Sequence, residues 1–330
     1  VCPPMSLLEQ MLGRIVRRGR LEMIRHDGGR AGFGTPEAGF PEVTIRLTDA
    51  RVARDILLDP RLGAGEAFIC AGVESMTRIP MSGFNPMPNP VLAEQLPGAY
   101  MSMGQTAENV AAQYKISRKE QEAFAVMSHQ RAAAAQAAGK LKDEIVAIGD
   151  VAADGCIRGE TTAEKLAELK LAFDEKGTVT AGTASPLTDG AAATLVTSED
   201  FAKKHNLPIL ARIKSIAVAG CDPAIMGIGP VVATQKALQR AGLSAQDIDI
   251  IELNEAFASQ ALACISALGF DPAKINIDGG AIALGHPLGA TGARITGKAA
   301  ALLKREGKRY ALATQCIGGG QGIATILESV

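Results

Sequence analysis

Three clusters in the last third of this sequence combine residue types that can do chemistry. In the first, His286 stands among five glycines and a proline within the stretch Asp278–Gly292. A histidine on a turn between a strand and a helix is well placed for proton transfer near neutral pH, and glycines let the backbone approach a ligand closely. The alternative is a glycine-rich loop that carries its histidine incidentally. This stretch alone does not decide between the two.

The second and third clusters each follow an apolar run that predicts a strand. Asn254 comes directly after Ile248–Leu253, and its side chain would either cap the next helix or hold a water or a carbonyl oxygen. Cys316 comes shortly after Tyr310–Thr314 and precedes three glycines. It is interpreted either as an exposed sulfur beside free backbone N–H groups or as a small, buried apolar side chain.

An alternation of strands and helices positions these clusters. The order β-α-β-α predicts an α/β fold with a largely buried sheet. All three clusters then lie at the carboxyl ends of predicted strands, where α/β sheets place their sites. The elements predicted before the His286 stretch are, in chain order, Ile209–Ala219, Val231–Ala241, Ile248–Leu253 and Ala256–Leu268.

The middle of the chain predicts one strand, one long connection and two helices. Glu66–Gly72 is typical of a buried strand, and the proline- and methionine-rich stretch Pro80–Gly98 favours an excursion over the surface. Thr106–Tyr114 predicts a helix. A capping box at Ser117 opens a second helix that stops at Gly139.

Patterns upstream of residue 62 are weaker. Val43–Ile45 favours a short strand, Asp49–Leu58 a helix and Gly32–Pro36 a turn. The arginine-rich run Arg14–Arg30 is interpreted as a solvated surface. A faint repeat relates the stretch that starts at Val43 to the strand predicted over Ile275–Ile277 and the turn and helix around His286, which indicates an internal duplication.

Composition narrows the class of protein. The chain has 330 residues, of which 47% are hydrophobic and 21% charged, with a formal net charge of −1. This ordinary globular composition gives no reason to expect nucleic acid or a membrane surface as a partner, and the length suits about two domains. The six cysteines show no CxxC spacing, so neither a disulfide framework nor a metal site is expected. Their spacing instead favours reduced thiols in a reducing compartment. No apolar run reaches the roughly 18 residues of a membrane span.

Together the three clusters resemble the C-terminal signatures of the thiolases, which are acyl-CoA C-acyltransferases. The matching motifs are Asn254–Phe257, Gly279–Gly289 and Cys316–Gly320, and similarity runs from about Gly63 to Val330. The resemblance implies a duplicated, layered α-β-α-β-α fold with a loop domain, and an incomplete or aberrant N-terminal half. The implied domains are an aberrant or truncated segment 1–62, the rest of the N-terminal half 63–198 with a loop domain at about 78–182, and a C-terminal half 199–330.

The resemblance also implies a reaction and its partners. Acyl-CoA and coenzyme A would be substrates, with no other cofactor, for thiolytic cleavage or Claisen condensation in fatty-acid β-oxidation or acetoacetyl-CoA metabolism. A homodimer or homotetramer would be the assembly. A cytoplasmic location is expected, with a mitochondrial or peroxisomal matrix as the alternative.

Roles for individual residues follow from the same resemblance. His286 would deprotonate a nucleophilic cysteine and polarise the thioester carbonyl, and Cys316 would move protons at the substrate α-carbon or at the leaving CoA thiol. Asn254 would hold a water that forms one oxyanion hole with His286, and the Gly318 N–H would contribute to the other. Contacts with the pantetheine arm would come from Ser185, Met103, Met226, Ala256 and Phe257.

The acyl-accepting cysteine of the family has no counterpart in this chain. The family carries it in an Asn-Arg-x-Cys-x-Ser-Gly-like turn shortly before the strand that begins near Glu66, and here the stretch Val43–Val52 contains no cysteine. Cys2 and Cys70 are unsuitably placed. The chain could therefore be a catalytically silent thiolase-like protein that binds CoA or forms oligomers. A decarboxylating or condensing enzyme of the wider superfamily is a third reading, which the glycines after Cys316 disfavour.

A frameshift in the coding sequence upstream of about Gly63 would explain the abrupt onset of similarity. Resequencing the source gene tests this hypothesis. An unbroken reading frame that encodes the same residues would refute it.

Overall fold

The structure is a computed structural model that describes residues 19–24, 30–35, 42–46, 67–80 and 83–330. The chain separates into two compact units. One comprises Val1–Ile69 with Leu195–Leu207, and the other Cys70–Thr194 with Pro208–Val330. All candidate site residues lie in the second unit, which also contains the hydrophobic core.

A three-stranded sheet lies in the first unit. Its strands are β1 (Gly19–Ile24), β2 (Arg30–Thr35) and β3 (Glu42–Arg46), in the order β2-β1-β3. The strand predicted over Val43–Ile45 is confirmed. The turn predicted over Gly32–Pro36 is wrong for Gly32–Thr35, because antiparallel pairing with β1 satisfies these backbone groups and outweighs the local turn preference of glycine. The helix predicted over Asp49–Leu58 lies outside the described residues.

Helices and long connections fill the chain between two paired strands, β4 (Ala67–Ser75) and β5 (Asp189–Thr197). The predicted capping box is confirmed, since the Ser117 N–H donates to the Glu120 carboxylate at 2.7 Å and the Glu120 N–H donates to the Ser117 hydroxyl.

The expected burial of β4 is wrong: Ile69 and Val73 are 77% and 73% exposed. Among the described strands β4 pairs only with β5. The intervening helices are α1 (Pro90–Gln95), α2 (Met103–Tyr114), α3 (Arg118–Ala137) and α4 (Ala163–Ala167).

A four-stranded sheet carries the three clusters. Its order is β6-β9-β8-β7, with β7 parallel to β8 and β9 antiparallel to both β8 and β6. The predicted alternation of strands and helices is confirmed. The elements after β5 are α5 (Glu199–Lys204), β6 (Arg212–Gly220), α6 (Gly229–Ala241), β7 (Ile250–Leu253), α7 (Ala258–Leu268), α8 (Ala281–Leu284), α9 (Leu288–Glu306), β8 (Tyr310–Ile317) and β9 (Gln321–Glu328).

The strand predicted over Ile275–Ile277 is reduced to one parallel bridge between Ile275 and Ile251. Asn276 has a φ of +43°, which takes the chain out of the extended conformation. Its side-chain amide pairs instead with the Leu253 backbone, accepting from N–H at 3.0 Å and donating to C=O at 2.8 Å. The Asn276 side chain thus makes the hydrogen bonds to Leu253 that a continuing strand would make with its backbone.

Alternating side chains of the central strands serve two cores. Ile251 and Leu253 belong to the core that includes residues of α6 and α7, whereas Ile250 belongs to the core that includes residues of α9. The backbone at the start of α6 lies directly against the backbone of β9. A Cβ at Gly322 on β9 would overlap the carbonyl of Gly229 at the start of α6, so glycine is required at this crossing.

Candidate active site

An imidazole and a carboxamide meet where β7 ends. Asn254 Nδ2 lies 3.3 Å from His286 Nε2. The Asn254 N–H donates to the carbonyl of Thr314 on β8 at 3.0 Å, which fixes the backbone of the loop. Asn254 does not cap the following helix, because α7 begins after Phe257 and no side chain caps it. The Asn254 Oδ1 atom is buried without a hydrogen-bond partner in the described chain, so it can accept from a bound group.

The backbone around His286 needs the glycine that precedes it. Gly285 has a φ of +100°, and a Cβ there would come within 2.6 Å of the Thr188 side chain. The Thr188 hydroxyl accepts from the His286 N–H at 3.2 Å. On the other side of the ring, Nδ1 lies 2.7 Å from the hydroxyl of Thr291 in the first turn of α9. The ring is therefore held at both nitrogens and at its own backbone.

The surroundings of His286 keep its ring neutral. Burial, reinforced by the positive charge of Arg294, lowers the pKa of His286 to about 4. A neutral imidazole has a lone pair on one nitrogen, and this is the form that a general base requires. The histidine therefore fits the role of general base.

The strand register brings Cys316 to the same edge of the sheet. Leu253 is paired with Thr314, so Cys316 stands one residue beyond the position opposite Asn254. Its thiol is half-buried, and desolvation raises the pKa of Cys316 to about 12. At neutral pH the group is a protonated thiol, able to give a proton to a carbanion. Gly318 directly follows β8 and is the exposed first residue of the turn that leads into β9.

Three of the predicted pantetheine contacts lie together. The Ser185 N–H donates to the Ala256 carbonyl at 3.0 Å, beside an antiparallel bridge between Ala184 and Phe257. The Phe257 ring packs edge-on against Phe173, with 5.8 Å between the ring centroids. Since Asn254 precedes Ala256 by two residues, this group adjoins the imidazole–carboxamide pair.

The other two predicted contacts lie on a neighbouring pair of elements. Met226 is buried in the 3₁₀ turn Pro223–Ile228, and Met103 is the first residue of α2. The two elements pack together, and Asn109 of α2 donates to the Ala224 carbonyl in that turn at 2.9 Å. No hydrogen bond in the described residues joins either methionine to His286 or Asn254.

A buried carboxylate that sequence reasoning did not single out ties two of the clusters together. Glu255 accepts from the Ser128 hydroxyl at 2.6 Å, from the Asn276 amide at 2.7 Å and from the Ile282 N–H at 3.1 Å. The Ser128 hydroxyl in turn accepts from the Gly280 N–H at 3.2 Å. Burial raises the pKa of Glu255, and these hydrogen bonds oppose that shift. The carboxylate thereby joins the loop of Asn254 to the segment that leads to His286.

A cavity of about 490 Å³ lies beside Phe173, one of the two phenylalanines that pack edge-on. It is lined by Arg118 and by residues 169–175, which include Phe173. Within the described ranges no group of three or more His, Cys, Asp or Glu could hold a metal ion, and no helix there is long and apolar enough to cross a membrane.

Two family models match this chain. The model described as "Thiolase, N-terminal domain" matches residues 59–200, and the one described as "Thiolase, C-terminal domain" matches residues 207–329. Together they span most of the sequence, including all nine predicted site residues.

Curated relatives and solved structures agree with these models. A 3-ketoacyl-CoA thiolase of Pseudoalteromonas translucida is 50% identical over 281 residues, which are 81% of this chain and 72% of that protein. One of Bacillus subtilis is 48% identical over 331 residues, covering 93% and 83%. The crystal structure of human mitochondrial 3-ketoacyl-CoA thiolase is similar with a TM-score of 0.74 at 42% identity, covering 88% of this chain and 79% of that one. Its complex with CoA gives the same TM-score and identity, with 88% and 80% covered.

Proposed function

Because this chain belongs to the thiolase family, we propose that it is an acyl-CoA C-acyltransferase that cleaves 3-ketoacyl-CoA with coenzyme A in fatty-acid β-oxidation. The names of the relatives support the substrate, and the human enzyme crystallised with CoA supports the acceptor. The observation that carries the proposal is the contact between His286 Nε2 and Asn254 Nδ2 at the end of β7. It puts a neutral base and an amide at the edge of the sheet where Cys316 also lies.

In the proposed reaction, Cys316 would donate a proton, and His286 and Asn254 would stabilise a negative oxygen. In cleavage, the sulfur of the attacking CoA bonds to C3 and the bond between C2 and C3 breaks. The acetyl-CoA enolate that leaves must gain a proton at C2. The Cys316 thiol would give that proton, and the proton that His286 takes from the attacking CoA thiol would then restore it. His286 and the group held by Asn254 would stabilise the negative oxygen that develops on the thioester. The cavity beside Phe173 would receive part of the long CoA arm.

A second candidate is the binding of CoA thioesters without turnover. The observation that favours it is the absence of a cysteine from Val43–Val52, where the family places the acyl acceptor. Transfer without that cysteine would require the CoA thiol to attack the C3 carbonyl directly while both ligands are bound. The two candidates share one binding site and differ in product formation.

The test incubates the protein with a 3-ketoacyl-CoA and free CoA. Formation of acetyl-CoA that is lost in His286→Asn supports acyl transfer. Binding without product supports the second candidate, and no binding of either ligand contradicts both. Intact-protein mass spectrometry reports any acyl adduct. Cys70 is exposed on β4, so Cys70→Ser is the matched control for non-specific acylation.

We also propose the arrangement that the family resemblance implies beyond the site. The chain would use no cofactor other than its CoA substrate and would assemble as a homodimer or homotetramer. The family models break between residues 200 and 207, which supports the division near residue 199. Analytical ultracentrifugation tests the assembly, and a monomer at micromolar concentration would contradict it.

A further inference from the structure

Within the described residues, each nitrogen of the His286 ring has one hydrogen-bonding neighbour. Nε2 lies 3.3 Å from the Asn254 amide, and Nδ1 lies 2.7 Å from the Thr291 hydroxyl. A neutral imidazole carries its proton on one nitrogen only, so these two neighbours decide which one. The choice matters because only the nitrogen without the proton can act as a base.

Thr291 is completely buried and has a second partner. Its hydroxyl oxygen lies 3.1 Å from the carbonyl oxygen of Pro287, four residues earlier in the chain. The Thr291 hydroxyl donates to this carbonyl, and it has only one hydrogen to give. With that hydrogen directed to Pro287, Oγ1 can only accept from an Nδ1–H of His286.

The opposite arrangement reverses both hydrogen bonds. The Thr291 hydroxyl would donate to Nδ1, and an Nε2–H would donate to Asn254 with its amide turned over. In that arrangement the NH₂ group of Asn254 would be buried without a partner. In the arrangement of the structure, the atom without a partner is Oδ1. A buried donor without a partner is rarer than an acceptor without one, which favours the arrangement with the proton on Nδ1.

We propose that Thr291 is a positioning residue that fixes the tautomer of His286, with the proton on Nδ1 and the lone pair on Nε2. Within the proposed function, Nε2 would take the proton of the attacking thiol and then present an N–H to the thioester oxygen. Nδ1–H would stay bound to Thr291 throughout. The catalytic consequence rests on the proposed function, but the tautomer is measurable without turnover, so the two can fail separately.

Nitrogen-15 NMR of protein labelled at histidine tests the proposal. The chain has four histidines, and His286→Asn assigns the resonances of the one in question. The wild-type spectrum at pH 7 is expected to show a protonated, pyrrole-type Nδ1 and an unprotonated, pyridine-type Nε2. A pyrrole-type Nε2 in the wild type would overturn the proposal, and this reading needs no variant to fold.

Two substitutions test the role of the hydroxyl. Thr291→Val keeps the shape and removes the hydroxyl, and the ratio of Nδ1–H to Nε2–H tautomer is expected to fall roughly tenfold, the worth of one hydrogen bond. Thr291→Ser keeps the hydroxyl and is expected to retain the wild-type ratio. An unchanged ratio in Thr291→Val would contradict the positioning role. If that variant does not fold, Thr291→Ala gives the same comparison without the branched side chain.

Discussion

The protonation state of His286 depends on the medium around its ring more than on any single neighbour. Burial is the larger cause of its low pKa, and the charge of Arg294 adds to it. A group whose charged form is disfavoured only in the folded protein links folding to pH. His286 and the buried Glu252 of β7 each carry such a link, and the signs of the two pH dependences are opposite.

For His286, the unfolded chain binds a proton between pH 6.5 and about 4 while the folded chain does not. Stability is therefore expected to fall as the pH falls through this window, by up to about 3 kcal/mol. His286→Asn should lose this part of the dependence. Urea unfolding of both proteins at pH 7.5 and pH 4.5 measures it. An equal stability difference between the two proteins at both pH values would contradict the prediction.

For Glu252 on β7, burial raises the pKa to about 8. The folded chain binds a proton between pH 4.5 and about 8 while the unfolded chain is ionised, so this group costs stability as the pH rises. Glu252→Gln, which keeps the shape, is expected to be more stable than wild type by on the order of 2–4 kcal/mol at pH 8 and equal to it at pH 4. Urea unfolding at the two pH values measures the difference. A variant less stable than wild type at pH 8 would show that the carboxylate is ionised and paired.

The residues proposed to do the chemistry were easier to find in the sequence than the residues that hold them. His286, Asn254 and Cys316 stand in local motifs at strand ends, and local motifs can be read from sequence. Ser128 lies on α3, 127 residues before Glu255, and only the folded chain brings the two together. A serine in the middle of a helix has no local feature that marks such a partner.

At the scale of elements, close packing of helix on sheet depends on paired glycines. The first turn of α6 crosses β9 where Gly229 meets Gly322. Neither residue has a positive φ in this structure, so lack of space, rather than backbone conformation, requires glycine there. The crossing holds α6 on the face of the sheet that also packs against α7.

Gly322→Ala is expected to destabilise the fold by about 1–3 kcal/mol or more, because the added methyl overlaps backbone that cannot move aside. Gly155→Ala is the matched control, since Gly155 lies in open space in a surface bend. Urea unfolding of both variants measures the costs. Equal costs for the two substitutions would show that the crossing has room for a methyl group.

Element types were predicted well and their burial less well. The capping box at Ser117 and the alternation after residue 209 gave correct elements, because these signals are local. The burial of β4 was wrong, because burial depends on what packs on a strand rather than on the strand itself. The strand over Ile275–Ile277 was also overestimated, since an asparagine in a left-handed conformation interrupts it.

At the scale of the whole molecule, the family fixes the kind of fold and reaction, and one stretch of sequence departs from it. The N-terminal family model begins at residue 59, and the stretch Val43–Val52 lies upstream of that start. Its lack of a cysteine was readable from sequence at once, whereas the effect on turnover depends on how both ligands bind. Binding and turnover are therefore separate questions for this chain.

The most direct test of the central claim, that His286, Asn254 and Cys316 border one site for CoA thioesters, is calorimetric titration with acetyl-CoA. One site per chain with a dissociation constant in the micromolar range is expected. Asn254→Ala should weaken binding roughly tenfold, as loss of one hydrogen-bonding group does. Gln246→Ala, at an exposed position, should bind as wild type does. No binding by the wild type at millimolar acetyl-CoA, or equal affinity in Asn254→Ala, would contradict the account.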